Sequence, residues 1–342
     1  MSKNGLISQL EATKKAWGIF KDNQEKEWGL AGIDTGIHHL NLSIGGWLPG
    51  KLTTVAGRSG HGKTAVLTPI FDAGRRIVNG KKASFLFFTW EMASNIIVDR
   101  HVCHRAGVTM SFLTQGAKLL QGGLLEKVKE AYSDSKSLDV TYQQSSTDIT
   151  AVRNISLEFI DQCKERSKIE GIEIQPVIVI DYIGMAKFEG SGLRTYGIGD
   201  FMNGLKQMAS QTGCSVLTLA QINRGADDKA VPQKQDLSDS QSIENASDNL
   251  ILLHRPEYNQ ILIVKDPESG DYIDSKDKLI LRVWKSRDYG LSDNLVDCTI
   301  RHFRIKSPDH NYDTEYWKLY EDENFWLKHF KLEKSTIALK MA

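Results

Sequence analysis

Gly57-Arg58-Ser59-Gly60-His61-Gly62-Lys63-Thr64 decides how this chain is read. The eight residues fit G-x-x-x-x-G-K-[ST], a phosphate-cradling loop, provided a strand precedes it and a helix follows. Residues 52–56 read as a buried strand and residues 65–78 as a helix, so both conditions hold. The backbone N–H groups of such a loop and of the helix N-terminus face anions. All eight residues are therefore assigned to nucleotide binding. Lys63 reaches the β- and γ-phosphates, and the Thr64 hydroxyl holds Mg²⁺. A plain glycine-rich turn before a core helix would leave Lys63 unexplained.

Working outward, strand-like and helix-like runs alternate. The strands read as 52–56, 84–89, 138–142, 177–180, 215–220 and 249–254, and the helices as 63–78, 94–106, 124–133, 148–167 and 198–212. Continuous Val/Ile/Leu strands between amphipathic helices predict an α/β fold with a central, mostly parallel sheet covered on both faces. Beyond Arg255 the runs 261–264, 279–284 and 295–303 read as antiparallel strands that finish the sheet. Residues 1–30 read as an arm, with a helix over 6–20 whose apolar residues recur at helical spacing. Such an arm either docks on a neighbouring copy or packs on its own core. Residues 31–305 form the main domain and 306–342 an aromatic, charged C-terminal extension.

The composition bounds the function class. The 342 residues carry 43 basic and 43 acidic side chains, with 40% hydrophobic and 25% charged residues. That is the profile of a globular protein. No apolar run approaches the ~20 residues of a membrane span, and no secretory signal opens the chain. The four cysteines are scattered, which fits a reducing cytoplasmic setting. His101, Cys103 and His104 lack the second ligand pair of a zinc site. Zero net charge argues against a broad duplex-binding face but leaves room for a narrow basic channel.

Three strand tips carry further chemistry. Asp181 ends the apolar run 177–180, the position where open α/β sheets hold ligands, and suits Mg²⁺. By itself it would pass for a turn cap; beside a phosphate loop it becomes a metal residue. Glu91 follows the strand 85–88 and is the candidate to activate the attacking water. Gln221 follows 217–220, where it can sense the γ-phosphate and signal to the polar segment 225–242. Lys285 and Arg287 stand where a strand meets a turn. Spacing leaves open whether Arg287 is a surface residue or a finger reaching a neighbour's phosphates.

Together these motifs resemble the C-terminal ATPase domain of DnaB-type replicative DNA helicases, whose core is RecA-like. The matching stretches are GIDTGIHHLN (32–41), GRSGHGKT (57–64), FTWEM (88–92), VIVIDYIGM (177–185), LAQINR (219–224), DLSDSQSIENASDNLILLHR (236–255) and WKSRDYG (284–290). The resemblance implies an ATP-dependent helicase that works as a homo-oligomeric, usually hexameric, ring on single-stranded DNA in replication. ATP then sits between subunits, with Glu91, Gln221, Lys285 and Arg287 as catalytic residues and the last two acting in trans. It further implies DNA contacts from Asn223, Arg224, Ser238, Asp239 and Ser240, and a primase or loader as partner.

The sequence departs from the family in three places. Only about 30 residues precede the match, where the family carries a collar domain; this suits a phage-encoded or mobile-element protein and weakens the primase expectation. The family's Asp-Leu-Arg-Glu-Ser-Gly appears as Asp236-Leu237-Ser238-Asp239-Ser240-Gln241, which removes an Arg that could meet phosphate. Pro69 interrupts the helix after the loop. A RecA-fold recombinase or mediator that binds single strands without unwinding is the alternative.

Overall fold

The structure is a computed structural model that describes residues 8–24, 30–78, 80–115, 122–188, 194–223, 232–237, 240–266, 270–299 and 304–306. Its centre is a nine-stranded sheet in the order β11-β10-β9-β6-β1-β5-β4-β2-β3. The strands are β1 (Leu52–Gly57), β2 (Lys81–Thr89), β3 (Val140–Gln143), β4 (Glu173–Asp181), β5 (Ser215–Gln221), β6 (Asn249–His254), β9 (Lys278–Ser286), β10 (Ser292–Thr299) and β11 (Arg304–Lys306). From β6 to β3 every pairing is parallel; β9, β10 and β11 continue the sheet antiparallel beyond β6. The predicted α/β architecture, with antiparallel strands at its C-terminal end, is what forms.

The parallel strands are apolar throughout because both faces are covered. Leu86, Phe88, Ile178 and Ile180 point one way, into a core shared with Val152 and Phe159 of α7 (Ile149–Glu170) and Phe201 and Leu205 of α8 (Arg194–Thr212). Phe85, Phe87, Val177 and Val179 point the other way, onto Leu40 and Ile44 of α2 (His38–Ile44) and Val66, Ile70 and Phe71 of α3 (Lys63–Gly74). A smaller core joins α4 (Ser94–Ala106) to α6 (Gly122–Ser135) through Val102, Ala106, Val128 and Ala131. Asp148 starts α7 as its cap, its carboxylate accepting from Ala151 N at 2.8 Å.

Two expectations shift. The helix read as 63–78 stops at Gly74, because Val78 turns back to pair with Lys81 (2.8 and 3.0 Å). The run read as 261–264 does not finish the sheet. Instead β7 (Ile263–Lys265) pairs antiparallel with β8 (Tyr272–Asp274) in a separate ribbon, since the chain must turn before it can return along β6 as β9. Residues 225–231 and 238–239 of the polar stretch 225–242 lie outside the described residues, and α9 (Ser240–Ala246) begins within that stretch. The first helix, α1 (Gln9–Gln24), is exposed along residues 9–21, with Leu10, Trp17, Ile19 and Phe20 facing outward. Among the described residues no helix is long and apolar enough to cross a membrane. The C-terminal extension lies outside the described residues.

Candidate nucleotide site

The phosphate loop leaves β1 at Gly57 and enters α3 at Lys63. Gly60 (φ 81°) and Gly62 (φ 97°) take left-handed conformations that a side chain would strain, and this curls the loop's amides into a cradle. Lys63 Nζ donates to the carbonyl oxygens of Gly57 (2.9 Å) and Arg58 (3.1 Å). Burial holds the Lys63 ammonium below the usual lysine range, while Asp181 and Glu91 pull the other way. A cleft opens over the loop, lined by Ser59, Gly62, Lys63, Thr64, Glu91 and Arg100 among others. Two members of the loop turn elsewhere. The Arg58 guanidinium donates to Ile222 O at 3.2 Å. The His61 ring is buried behind the loop, 5.2 Å from His254 and 5.1 Å from Tyr258, and Nδ1 accepts from Arg255 N at 3.0 Å. Burial, then His254, depresses the His61 pKa to about 3, so the loop keeps a neutral imidazole.

Pairing of β2 with β4 brings two acids to this cleft. Thr89 lies opposite Asp181, and Trp90 N donates to Asp181 O at 3.0 Å, so Glu91 leaves β2 beside the tip of β4. Asp181 is buried; burial, then Glu91, pushes its pKa up to about 6. Its Oδ2 accepts from the Thr64 hydroxyl at 3.4 Å, and its Oδ1 is buried with no hydrogen-bond partner. A buried carboxylate oxygen without a donor, beside a hydroxyl and a phosphate loop, is a donor set that fits Mg²⁺. Arg100, absent from the sequence reading, projects from α4 into the same cleft. Burial lowers its pKa while Asp181 and Glu91 oppose that shift. A lone Arg in mid-helix gives no local signal; only the packing of α4 against α3, the helix that follows the loop, reveals it.

Gln221 ends β5 directly opposite Gly57, the residue that opens the loop. Just beyond it, Ile222 bridges Leu237, and Asn223 N donates to Asp236 O at 2.8 Å. Of the expected DNA contacts, Asn223 is described and exposed, Ser240 begins α9, and Arg224, Ser238 and Asp239 lie outside the described residues.

Lys285 and Arg287 stand at the other edge of the sheet. Strand β6 runs parallel to β1, with Leu253 opposite Gly57, whereas Lys285 and Ser286 of β9 face Leu250 and Asn249 at the start of β6. At about 3.3 Å per residue that places Lys285 roughly 10 Å and Arg287, beside Asp248, roughly 16 Å towards the far end, two strands over. Both are anchored there. Lys285 Nζ donates to Glu244 O, and Arg287 Nη2 donates to Asn245 O at 3.1 Å. Asp248 steadies their base: its Oδ2 accepts from Leu52 N at 2.8 Å, its Oδ1 accepts from Lys206 Nζ at 2.8 Å, and Arg287 N donates to its carbonyl at 3.1 Å. Burial, then Arg287, lowers the Lys285 pKa. The chain thus brings together the loop, Glu91, Asp181 and Gln221, and holds Lys285 and Arg287 away from them.

The model of the DnaB-like helicase C terminal domain family matches residues 32–292. Replicative DNA helicase DnaB of Mycoplasma genitalium is 27% identical over 251 residues, which are 72% of this chain and 51% of that protein. Replicative DNA helicase DnaB of Leifsonia xyli is 26% identical over 248 residues, again 72% and 51%. The chain spans about half the length of these curated relatives. A solved ATPase domain matches with a TM-score of 0.73 at 16% identity, covering 88% of this chain and 100% of that one. A DnaB-like replicative helicase, described with its interactions with primase, matches with a TM-score of 0.69 at 16% identity over 88% and 67%. At those identities the likeness is one of fold.

Proposed function

Since the chain belongs to the DnaB-like helicase C-terminal domain family, we propose that it is an ATP-driven translocase on single-stranded DNA that unwinds duplex DNA in replication. The observation that carries this reading is the division of the site across one sheet. Loop, Glu91 and Asp181 stand at the carboxyl ends of the parallel strands, and Lys285 and Arg287 at the opposite end. No single copy can bring Arg287 to its own phosphates. Copies arranged head to tail around a ring would place the pair of one copy over the loop of the next.

In this reading Lys63 and the loop amides bind the triphosphate, and Thr64 and Asp181 hold Mg²⁺, which offsets phosphate charge when bound. Glu91 orients and deprotonates water, with Arg100 beside it. Arg287 and Lys285 of the neighbour neutralise charge on the transferring phosphoryl. Gln221 reports the γ-phosphate to the DNA-facing residues Asn223, Arg224, Ser238, Asp239 and Ser240. Residues 31–305 form the ATPase unit, 1–30 the arm and 306–342 an extension. Six copies close the ring, and a primase or loader is a further proposed partner in the cytoplasm.

The test is a forked duplex carrying a fluorophore and quencher, incubated with protein, ATP and Mg²⁺. Strand release that requires ATP, together with hydrolysis accelerated by oligothymidylate, is expected. Strand exchange without release would move the assignment to a recombinase or mediator.

A further inference from the structure

Arg58 belongs to the loop by sequence, yet its guanidinium donates to the carbonyl oxygen of Ile222 at 3.2 Å and is not among the residues that line the cleft. That residue is a junction. Ile222 N donates to Gly57 O at 3.3 Å, and Gly57 O is also an acceptor for Lys63 Nζ at 2.9 Å. Arg58 O is the other acceptor for Lys63 (3.1 Å), and it accepts from His61 N at 3.3 Å as well. On the far side, buried Ile222 bridges buried Leu237, and Asn223 N holds Asp236 O at 2.8 Å. Asn223, itself a proposed DNA contact, and Asp236–Leu237, which precede the contact Ser238, therefore meet at a peptide that Arg58 grips.

We infer that Arg58 is a positioning residue that links phosphate occupancy of the loop to the placement of the DNA-facing segment, acting through the Ile222 carbonyl. The physical step is an exchange of hydrogen bonds. A triphosphate competes for the Lys63 ammonium, which then releases the carbonyl oxygens of Gly57 and Arg58. The Arg58 backbone is freed to shift, and its side chain carries the shift to Ile222. Ile222 moves as a unit with Asn223 and Leu237, because the bridge and the Asn223–Asp236 bond tie them. Gln221 lies on the same strand and senses phosphate directly; Arg58 is a second, mechanical route from the opposite side of the Gly57–Ile222 bond.

This inference rests on the proposed DNA-dependent ATPase, and its test separates the two. The full chain is titrated onto fluorescein-labelled oligothymidylate, with and without saturating adenylyl-imidodiphosphate and Mg²⁺, and anisotropy is read. The ratio of the two affinities measures coupling; values of roughly 5- to 150-fold are usual for linked sites. Because a variant that no longer bound nucleotide would also give a ratio of one, binding of a fluorescent nucleotide is measured on each variant and the ratio is read only at saturation. Arg58→Met, which keeps an apolar stem and removes the donor, is expected to bring the ratio to within about twofold of one. Arg58→Lys, which restores one donor, is expected to recover part of it. Arg58→Ala is run beside Arg58→Met, so whichever folds by circular dichroism reads out the missing donor. A ratio unchanged from wild type in the folded variant overturns the inference. So does outright loss of nucleotide binding, which would assign the guanidinium to the phosphates. A wild-type ratio of one removes the DNA-coupled reading itself.

Discussion

Asp181 shows how a single residue is tuned by its surroundings. Burial and the nearby Glu91 raise its pKa to about 6 from an ordinary aspartate value of 3.8. Between about pH 4 and 6, the metal-free folded state keeps a proton that the unfolded chain has already released. The native state therefore loses stability as pH rises through that window, by about 3 kcal/mol in total. His61 acts in the opposite sense, since its folded pKa of about 3 makes stability rise as pH climbs towards 6.5. The two contributions overlap, so the wild-type curve is not diagnostic and the difference from Asp181→Asn is. In EDTA, denaturant titrations should show Asp181→Asn gaining on wild type from pH 4 to 7. With Mg²⁺ and nucleotide the order reverses, because only the ionised carboxylate serves the cation and binding weakens below about pH 6. Glu91 calls for a different readout. Glu91→Gln should slow phosphate release by roughly 10²–10⁴-fold while a fluorescent nucleotide still binds, since a water-activating group contributes to turnover rather than to ground-state affinity.

At the scale of the element, helix α3 is positioned by what its neighbours leave out. Pro69 sits inside it, buried, and offers no amide hydrogen to the preceding turn. Gly36 (φ 73°) lies against that turn: a Cβ there would come within 2.2 Å of the Pro69 carbonyl oxygen. The Gly32–Asn41 stretch thus serves as a backbone brace for the helix that carries Lys63 and Thr64. Gly36→Ala combines left-handed strain with overpacking and should cost about 2–4 kcal/mol in chemical unfolding. Nucleotide affinity should fall with it, because the N-terminus of α3 cannot shift without moving the loop. Gly74 plays a similar part at the other end of α3, where a Cβ would meet the Phe85 ring at 2.4 Å. These contacts explain why a helix with an internal proline still holds one orientation against the sheet.

At the scale of the molecule, the proposed role of Arg287 at a neighbour's phosphates makes a demand on assembly, since Arg287 stands away from the loop of its own copy. Lys63→Ala and Arg287→Ala should each be inactive by themselves. A one-to-one mixture should regain about a quarter of the wild-type interfaces, since an intact loop from one variant meets an intact finger from the other by chance. Phosphate release from the mixture checks this, and an activity no greater than the sum of the separate variants would refute a shared site. The same demand predicts that assembly mass, measured by light scattering, rises when nucleotide is added. Exposed Leu10, Trp17, Ile19 and Phe20 on α1 add an apolar face to that expectation.

The loop sequence by itself determined the phosphate cradle, because glycine spacing and Lys63 act through local backbone geometry that needs no distant contact. The continuous apolar strands likewise determined a parallel sheet covered on both faces, since burial of both sides leaves no alternation to read. Asp181, Glu91 and Gln221 were legible as strand tips because a parallel sheet gathers such tips at one edge. Tertiary structure decided the rest. It placed Arg100 in the cleft through helix packing, turned the side chains of Arg58 and His61 away from it, and removed residues 263–265 from the main sheet. Above all it set Lys285 and Arg287 at the far edge, because β9 returns antiparallel to β6. The antiparallel direction of the run 279–284 was legible in the sequence, but its partner strand and register were not, because they are set by packing between separate strands.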